Sequence, residues 1–333
     1  MLIIDNDENF LSIKELLKKR EDSLLKNEEE IKNFLLLNNI TKYHIKYDLS
    51  VTVWQNVVIT TKIDFLPINF NETNCDFKIK HCGLKLLCGV PKKVNNFDCS
   101  SNELISLYGG PNTVVDYICS HNQLTNIFYV PKSIHWFSCS HNKISILINS
   151  PEKSIMFNCS NNNITSLFGL EKMKCEKLDI RDNQITSLKY IPKLKVSLYA
   201  QGNKITSLKY IPKVLTNNCI LTDNLITNLN HLPKKIGNHL SLSFNPIDEV
   251  DIKEIDIGGK LSFEGCNLKK IINIPDFEYA VINLRQNPDF GELQKILTTQ
   301  SLKVALNKIE QYKELKNEFS IEQNIKQNKT KKI

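Results

Sequence analysis

Arginine is scarce in this sequence: of its 43 basic residues, 40 are lysine and 3 are arginine. Proteins that recognise phosphates and base edges favour arginine, because its guanidinium forms two parallel hydrogen bonds. The formal net charge of +7 is therefore weak evidence for a nucleic-acid partner.

Long apolar runs and catalytic motifs are also missing. No run approaches the ~20 residues of a membrane span. The first ten residues, MLIIDNDENF, carry acids where a secretory signal needs basic residues. The chain contains no Walker loop, G-x-G-x-x-G, G-x-S-x-G or H-E-x-x-H. We therefore expect a protein that is not an enzyme, uses no cofactor, and is neither membrane-spanning nor secreted by that route.

A repeat fills most of the chain instead. Segments such as FDCSSNELISL (97–107) and FNCSNNNITSL (157–167) share the frame apolar, x, apolar, x, x, Asn, x, Leu/Ile, x, x, Leu. We call the asparagine position the slot. Its period is roughly 20 residues. The slot is occupied by Cys82, Asn102, Asn122, Asn142, Asn162, Asn183, Asn203, Asn224, Asn245, Cys266 and Asn287. Proline usually follows nine positions later, and ITSLKYIPK occurs twice, at 185–193 and 205–213. The repeat replaces the two-domain expectation that a length of 333 residues gives.

This frame resembles the leucine-rich repeat, L-x-L-x-x-N/C-x-L, over roughly residues 75–290. The short period and the Ile/Leu/Val-Pro-Lys step are similar to the repeats of bacterial effector proteins. The resemblance implies a scaffold that binds another protein, and the host cytoplasm as its place of action if the chain is an effector. The sequence departs from the usual pattern in using Cys, Phe and Tyr where Leu is commoner.

The periodicity predicts an α/β repeat solenoid. Apolar residues before the slot alternate with polar ones, which is typical of strands. About 11 short strands should form a curved parallel sheet on the concave face, one strand per slot. The slot asparagine should satisfy backbone groups of the neighbouring coil. Proline disfavours helix, so we expect an extended or 3-10 convex side.

Helical caps are expected at both ends, because a solenoid has open ends. Residues 1–70 should form the N-terminal cap, with a helix over 8–38, a strand over 43–54 and a degenerate first repeat at 57–67. Residues 71–290 should form the solenoid. Residues 291–333 should hold a helical cap over 291–316, followed by a basic tail.

Two sets of chemically versatile residues occupy fixed positions. Three residues before the slot come Cys99, Cys119, Cys139 and Cys159. One residue before it come His81, His121 and His141. We expect a buried ladder of free thiols, because disulfides need Cβ atoms that converge to about 3.8 Å. Free thiols indicate a reducing, cytoplasmic compartment. A redox or metal role is the alternative, but C-x-x-C and H-x-x-x-H spacings are missing, so we expect no metal.

A partner surface is predicted on the solvent-facing strand positions, six, four and two residues before the slot. Most of these residues are short and polar, but Ile118, Trp136 and Met156 lie on three consecutive coils. This composition is typical of the anchors of protein interfaces. The predicted partner-binding residues are Asp98, Asp116, Ile118, Trp136, Met156, Asn158, Arg181, Tyr199 and Ile220. In the alternative, Trp136 folds against a neighbour or lies under the N-terminal cap.

A second surface is predicted at the lysines that directly follow the repeat proline. These lysines, which we call the basic edge, are Lys92, Lys132, Lys193, Lys213 and Lys234. Such an edge could hold nucleic acid, an anionic membrane or an acidic protein; an ordinary solvated face is the alternative. A further alternative is an adaptor that recruits a modifying enzyme through residues 1–70. We expect a monomer.

Overall fold

The computed structural model describes residues 7–274, 281–288 and 296–298. In chain order its elements are helices α1 Asp7–Ser23 and α2 Glu28–Leu37, then strands β1 Tyr43–Ile45, β2 Val51–Val53, β3 Val57–Ile59, β4 Phe77–Ile79, β5 Asn96–Asp98, β6 Asp116–Ile118, β7 Trp136–Ser138, β8 Lys153–Asn158, β9 Lys174–Asp179, β10 Ser197–Tyr199, β11 Val214–Leu215, β12 Cys219–Ile220, β13 Lys235–Ile236, β14 Leu240–Ser241, β15 Glu249–Asp251, β16 Asp256–Ile257, β17 Lys260–Ser262, β18 Lys270–Asn273, β19 Val281–Asn283 and β20 Ile296–Thr298.

One sheet of 13 strands runs the length of the solenoid. Its strands follow the chain order from β3 to β19, each parallel to the next, and β20 adds an antiparallel strand at the end. Parallel strands spaced by one coil are what the slot spacing predicts, so the repeat solenoid is confirmed. The sheet contains one parallel strand more than the 11 slots, because β3 precedes the first of them.

The core of each coil is built from two inward-facing ladders. Five residues before the slot, Phe77, Phe97, Tyr117, Phe137 and Phe157 are fully buried, with neighbouring ring centroids 5.2–6.2 Å apart. Two residues further on come the cysteines of the first coils, also fully buried. Bulky rings thus pack beside small thiols on the same face of each strand.

The slot asparagines join the coils through their amides, as predicted. Asn142 is typical: its Nδ2 donates to the carbonyl oxygens of Cys119 on the preceding coil (3.1 Å) and of Cys139 and Ser140 on its own (3.0 and 3.1 Å). Its Oδ1 accepts from Leu124 N at 3.0 Å. Each such asparagine therefore satisfies backbone groups that the turn would otherwise leave unpaired.

The two cysteine slots reproduce only half of this pattern. Cys82 Sγ donates to Ile59 O at 3.3 Å, and Cys266 Sγ donates to Leu242 O at 3.2 Å. The backbone N–H that an asparagine at 266 would accept belongs to Ile247, and it bonds instead to Asn245 O at 2.8 Å. A thiol is a weak donor and a weak acceptor, so it replaces the amide incompletely.

The segments that lead from one strand through the proline position to the next strand, which we call the return legs, are extended, as the prolines predict. The carbonyl of the residue after the proline accepts two hydrogen bonds from the next coil. Lys92 O accepts from Asn112 N at 2.7 Å and from Thr113 N at 3.1 Å. In the later coils the legs also form two small parallel sheets, β11-β13-β16 and β15-β18. Among the described residues, no helix is both long and apolar enough to cross a membrane.

The N-terminal cap differs from the single helix and single strand that the pattern predicts. The helical run is interrupted after Ser23, and Asn27 caps α2, its Oδ1 accepting Glu30 N at 3.0 Å while Glu30 Oε2 accepts Lys26 N at 2.9 Å. The predicted strand over 43–54 is an antiparallel hairpin of β1 and β2. Asp48 forms the intervening turn, since its Oδ1 accepts both Ser50 N and Ser50 Oγ.

The C-terminal prediction is wrong where it can be compared. Residues 296–298, placed in a helix, form strand β20, which pairs antiparallel with β19. The last parallel strand of a solenoid exposes unpaired backbone groups, and an added strand satisfies them. The rest of the predicted cap and tail of 291–333 lies outside the described residues.

Candidate functional site

The strand positions six, four and two residues before the slot make up what we call the open sheet face. The register brings the predicted residues of this face side by side. Trp136 pairs with Asp116 on one side and Met156 on the other. Ile118 lies one row away, diagonal to Trp136 and opposite Ser138. The three apolar residues therefore occupy one patch on β6, β7 and β8.

Trp136 is the exposed member of that patch, with 39% of its surface accessible. The N-terminal cap does not bury it, in contrast to the alternative interpretation. Its backbone N–H donates to Asp116 Oδ1 at 3.1 Å, and the same oxygen lies 3.2 Å from His135 Nδ1. Ile118 and Met156 are half-buried. The indole is thus fixed at its backbone and accessible along much of its ring.

The floor around the patch is recessed and polar. Ser100, Ser120, Ser138, Ser140 and Ser160 are all buried. Three of their hydroxyls bond to one another across coils, Ser120 to Ser138 at 2.9 Å and Ser140 to Ser120 at 3.0 Å, whereas Ser100 Oγ donates to Asp98 Oδ1 on its own coil at 2.6 Å. Because these serine side chains are short and buried, the side chain of Trp136 is more exposed than the floor of serines around it.

The charged residues among the predicted partner-binding residues already form contacts within the chain. Asp98 accepts from Ser100 Oγ at 2.6 Å and pairs with Lys80 at 3.2 Å. Arg181 forms a bidentate pair with buried Asp179, with contacts of 2.6–3.0 Å, and this hydrogen bonding raises the pKa of Arg181. Asn158, also predicted, accepts Ser160 N at 3.0 Å.

The two remaining predicted residues, Tyr199 and Ile220, lie further along the sheet, each four residues before its slot. Tyr199 and Ile220 are direct register partners, both half-buried. The Tyr199 hydroxyl accepts from Asn218 Nδ2 at 3.2 Å. Asp179 is the partner of Tyr199 on the other side, so a charged pair separates this smaller patch from the one around Trp136.

The lysines of the basic edge differ in their contacts with the rest of the chain. Lys92 donates to Gly109 O at 2.6 Å and Gly110 O at 3.2 Å, and burial lowers its pKa. Lys132 pairs with Glu152 at 2.8 Å. Lys193, Lys213 and Lys234 are exposed. The first two lysines of the edge are therefore held by their neighbours, and the exposed remainder lies in the later coils.

The ladder cysteines are buried, as predicted, whereas the histidine row is exposed at the turns that follow the strands. Burial raises the pKa of Cys119, Cys139 and their ladder neighbours well above that of an ordinary thiol. His121 and His141 are stacked with ring centroids 4.2 Å apart and planes 9° apart, and burial, followed by the neighbouring histidines, lowers the pKa of His121. Across the described ranges, no three His, Cys, Asp or Glu converge on a metal-sized site.

Exposed aromatic residues at the turn after each coil are absent from the sequence-based predictions. They lie six or seven residues after the slot. The exposed members are Tyr108, Tyr129, Phe168 and Tyr210, and Tyr190 is half-buried. Tyr108 and Tyr129 help to line a cavity of about 430 Å³ with Lys92. Their signal was the twice-repeated ITSLKYIPK, which places tyrosine where other coils have glycine.

Comparison with known proteins yields few relatives. No family model matches the chain, and no curated protein matches it. Among solved structures, YopM from Yersinia enterocolitica WA-314 matches at 20% sequence identity with a TM-score of 0.41, covering 71% of this chain and 64% of that one. The match thus spans less than two thirds of YopM.

The fold itself supports the resemblance noted in the sequence. Twelve parallel strands are stacked one per coil, in step with the slots of the sequence. A slot asparagine or cysteine bonds each coil to the one before it. The chain folds as a parallel β-solenoid with one short strand per repeat of 20 or 21 residues, an architecture consistent with short leucine-rich repeats.

Proposed function

We propose that the chain is a non-catalytic scaffold that binds another protein on its open sheet face, with Trp136 as the central anchor. The observation that carries the proposal is the 39% exposure of Trp136 beside Met156 and Ile118, above a floor of buried serines. Tryptophan is enriched among the residues that contribute most to protein binding, and it costs little conformational entropy to place.

The surroundings support a protein rather than a small-molecule ligand. Polar side chains of this face bond to one another, as Ser120 does to Ser138 and Arg181 to Asp179. An extended apolar and polar surface of this kind suits contact with another folded surface or a bound segment. The N-terminal cap shares the solenoid core through Ile31, Leu35 and Val51, which supports a capping role for residues 28–53.

The test uses the two tryptophans as a matched pair. Trp136 lies on the sheet face and Trp54 lies on the cap with 62% exposure. Affinity capture from cell extract, read by mass spectrometry, compares wild type, Trp136→Ala and Trp54→Ala. The expected result is a set of proteins retained by wild type and by Trp54→Ala and lost with Trp136→Ala.

A direct binding measurement completes the test. In Trp54→Phe, the single remaining indole reports on the face, so the retained protein should shift its fluorescence to shorter wavelength on burial. Circular dichroism must show that each variant stays folded. Capture that is equal in all three proteins, or lost equally in both alanine variants, would refute the proposal.

A further inference from the structure

A second surface lies on the turns that follow the coils, away from the open sheet face. The duplicated ITSLKYIPK segments place Lys189, Tyr190 and Lys193 on one coil and Lys209, Tyr210 and Lys213 on the next. All four lysines are exposed, Tyr210 is 48% exposed and Tyr190 is half-buried. We call these six residues the KYIPK ridge.

The two tyrosines occupy a backbone position that favours glycine. Tyr190 and Tyr210 have φ of 69° and 74°, and the equivalent residues of earlier coils include Gly89 and Gly109, with φ of 100° and 86°. A left-handed conformation is strained for a bulky residue. Strained positions that persist point to a use of the side chain rather than to a need of the backbone.

The lysines lie against these rings. Lys189 Nζ lies 4.8 Å from the Tyr190 ring centroid, and Lys209 Nζ lies 5.2 Å from that of Tyr210. Phe168, 49% exposed, meets Tyr190 edge to face at 5.3 Å. The ridge therefore combines exposed aromatic surface with ammonium groups held directly on it.

The lysines after the proline belong to the same surface by repeat symmetry. Lys92 reaches the carbonyl oxygen of Gly109 on the following coil at 2.6 Å. Lys193 stands in the same relation to Tyr210, since each lysine lies ten positions after its slot and each partner lies seven after the next. Lys193 and Tyr210 thus occupy the repeat positions at which Lys92 and Gly109 contact each other.

The charged residues of the segment that contains the ridge are all positive. Residues 183–222 contain six lysines and no Asp or Glu. The nearest acidic residues along the chain are Asp182 and Asp223, which flank this segment. The positive potential is concentrated on two adjacent coils.

We propose that the KYIPK ridge docks on the surface of an anionic lipid bilayer. Tyrosine and phenylalanine suit the boundary between headgroups and acyl chains, and lysines are attracted to anionic headgroups. Single-stranded nucleic acid fits less well, because bases stack on open ring faces. Here a lysine covers the face of each tyrosine, and Phe168 meets Tyr190.

The experiment is vesicle flotation of the full chain. The probes are vesicles of pure phosphatidylcholine, vesicles of two parts phosphatidylcholine to one part phosphatidylserine, and a short fluorescent oligouridylate. The test variant replaces Lys189, Lys193, Lys209 and Lys213 with Gln. The matched control replaces four exposed lysines of the cap, Lys18, Lys26, Lys42 and Lys46, with Gln, so both variants lose the same charge.

A third variant removes only the rings. Tyr190→Gly/Tyr210→Gly places at each position the residue that the left-handed backbone favours, so it should fold at least as readily as wild type. Thermal melts followed by circular dichroism check all variants. Vesicle binding is also measured at about 0.5 M NaCl, because docking through lysines should weaken as salt screens the charges.

Wild type should float with phosphatidylserine vesicles and not with pure phosphatidylcholine. Binding should fall about tenfold or more in the ridge lysine variant and stay within about twofold in the cap control. The tyrosine variant should also bind more weakly. Failure of wild type to bind, equal loss in the cap control, no loss in the ridge lysine variant, or tighter binding to the oligouridylate than to the vesicles would each overturn the proposal.

Discussion

The first and second halves of the solenoid fill the same core in different ways. Between slots 102 and 162 a ring five residues before the slot lies beside a cysteine three residues before it, as in Phe137 and Cys139. In most later coils both positions are aliphatic, as in Leu240 and Leu242; one coil has Cys219 at the first position, and another has Phe263 at the second. The coils with slots 102 to 162 thus combine one large ring with one small thiol, whereas several later coils combine two aliphatic side chains in the same close-packed core.

The halves also differ in the length of their coils. The slots from Cys82 to Asn162 are evenly spaced, and four of the last five intervals, between Asn183 and Asn287, are longer by a single residue. The added residue lies between the proline position and the strand, where β11, β13 and β16 form. Gly237 lies there against the Thr216 carbonyl, so close that a Cβ would overlap the oxygen. The longer coil thus creates a second ladder of backbone hydrogen bonds.

The largest expected difference between the two halves is the loss of stability at alkaline pH. Burial raises the pKa of Cys99, Cys119, Cys139 and Cys159 well above the ordinary value. Above about pH 8.5 the unfolded chain releases thiol protons that the folded chain retains, so stability falls as pH rises, by about 1 kcal/mol per thiol and pH unit. Hydrogen exchange between about pH 8 and pH 10 should show earlier loss of protection in residues 97–160 than in 198–262.

The control for that prediction replaces all four ladder thiols with Ala. The variant will be less stable at neutral pH, but the extra pH-dependent loss in residues 97–160 should disappear. Persistence of the same slope in the variant would show that other groups, such as lysine or tyrosine, cause the alkaline loss.

Removing a slot amide should have the next largest effect. Asn142→Ala removes four hydrogen bonds and leaves the Leu124 N–H without its partner, whereas the three carbonyls each keep a second donor, so we expect about 2–4 kcal/mol of destabilisation in urea unfolding. Asn142→Cys should recover part of the loss, because Cys82 and Cys266 donate in the same way. Equal stability of the Ala and Cys variants would contradict this explanation of the cysteine slots.

Whether the packing of the two core positions is coupled can be tested with a double-mutant cycle. Phe137→Leu should leave a cavity and Cys139→Leu should overpack, each at about 1–3 kcal/mol. The double variant imports the arrangement of the second half, and it should be at least about 1 kcal/mol more stable than the sum of the single changes predicts. Additive losses in urea unfolding would mean that the two positions pack independently.

The smallest expected effect is a gain in stability. Tyr117 is the one hydroxyl in the ring ladder, it is fully buried, and it has no hydrogen-bond partner in the described part of the chain. Tyr117→Phe should stabilise the first half by about 1 kcal/mol, since burying an unpaired hydroxyl is costly. A decrease in the midpoint of thermal unfolding would indicate that the hydroxyl is satisfied in solution.

The sequence predicted what depends on the period. The slot frame specified the strands, their register, the inward cysteines and the asparagine amides, because each follows from alternation and a fixed spacing. It therefore also placed Trp136 next to Met156, and Tyr199 next to Ile220.

What the sequence did not predict depends on local or aperiodic chemistry. Asn27 divides the predicted N-terminal helix through a cap, and Asp48 folds the predicted strand into a hairpin. The frame could not show that Asp179 neutralises Arg181, because both lie at ordinary solvent-facing positions. The tyrosines of the KYIPK ridge lie at a turn outside the frame, so the frame did not predict the surface that they form with the lysines.

The asparagine amides have a mechanical consequence. Each amide bonds its own coil to the one before it, so load applied along the chain passes from coil to coil rather than through one shared core. Pulled from its ends, the solenoid should extend in steps of about 70 Å as single coils peel away in turn. The cysteine slots, with weaker bonds, lie near the two ends of the array. Rupture should therefore start at either end, and the centre, with Trp136 and the KYIPK ridge, should be the last part to lose its shape.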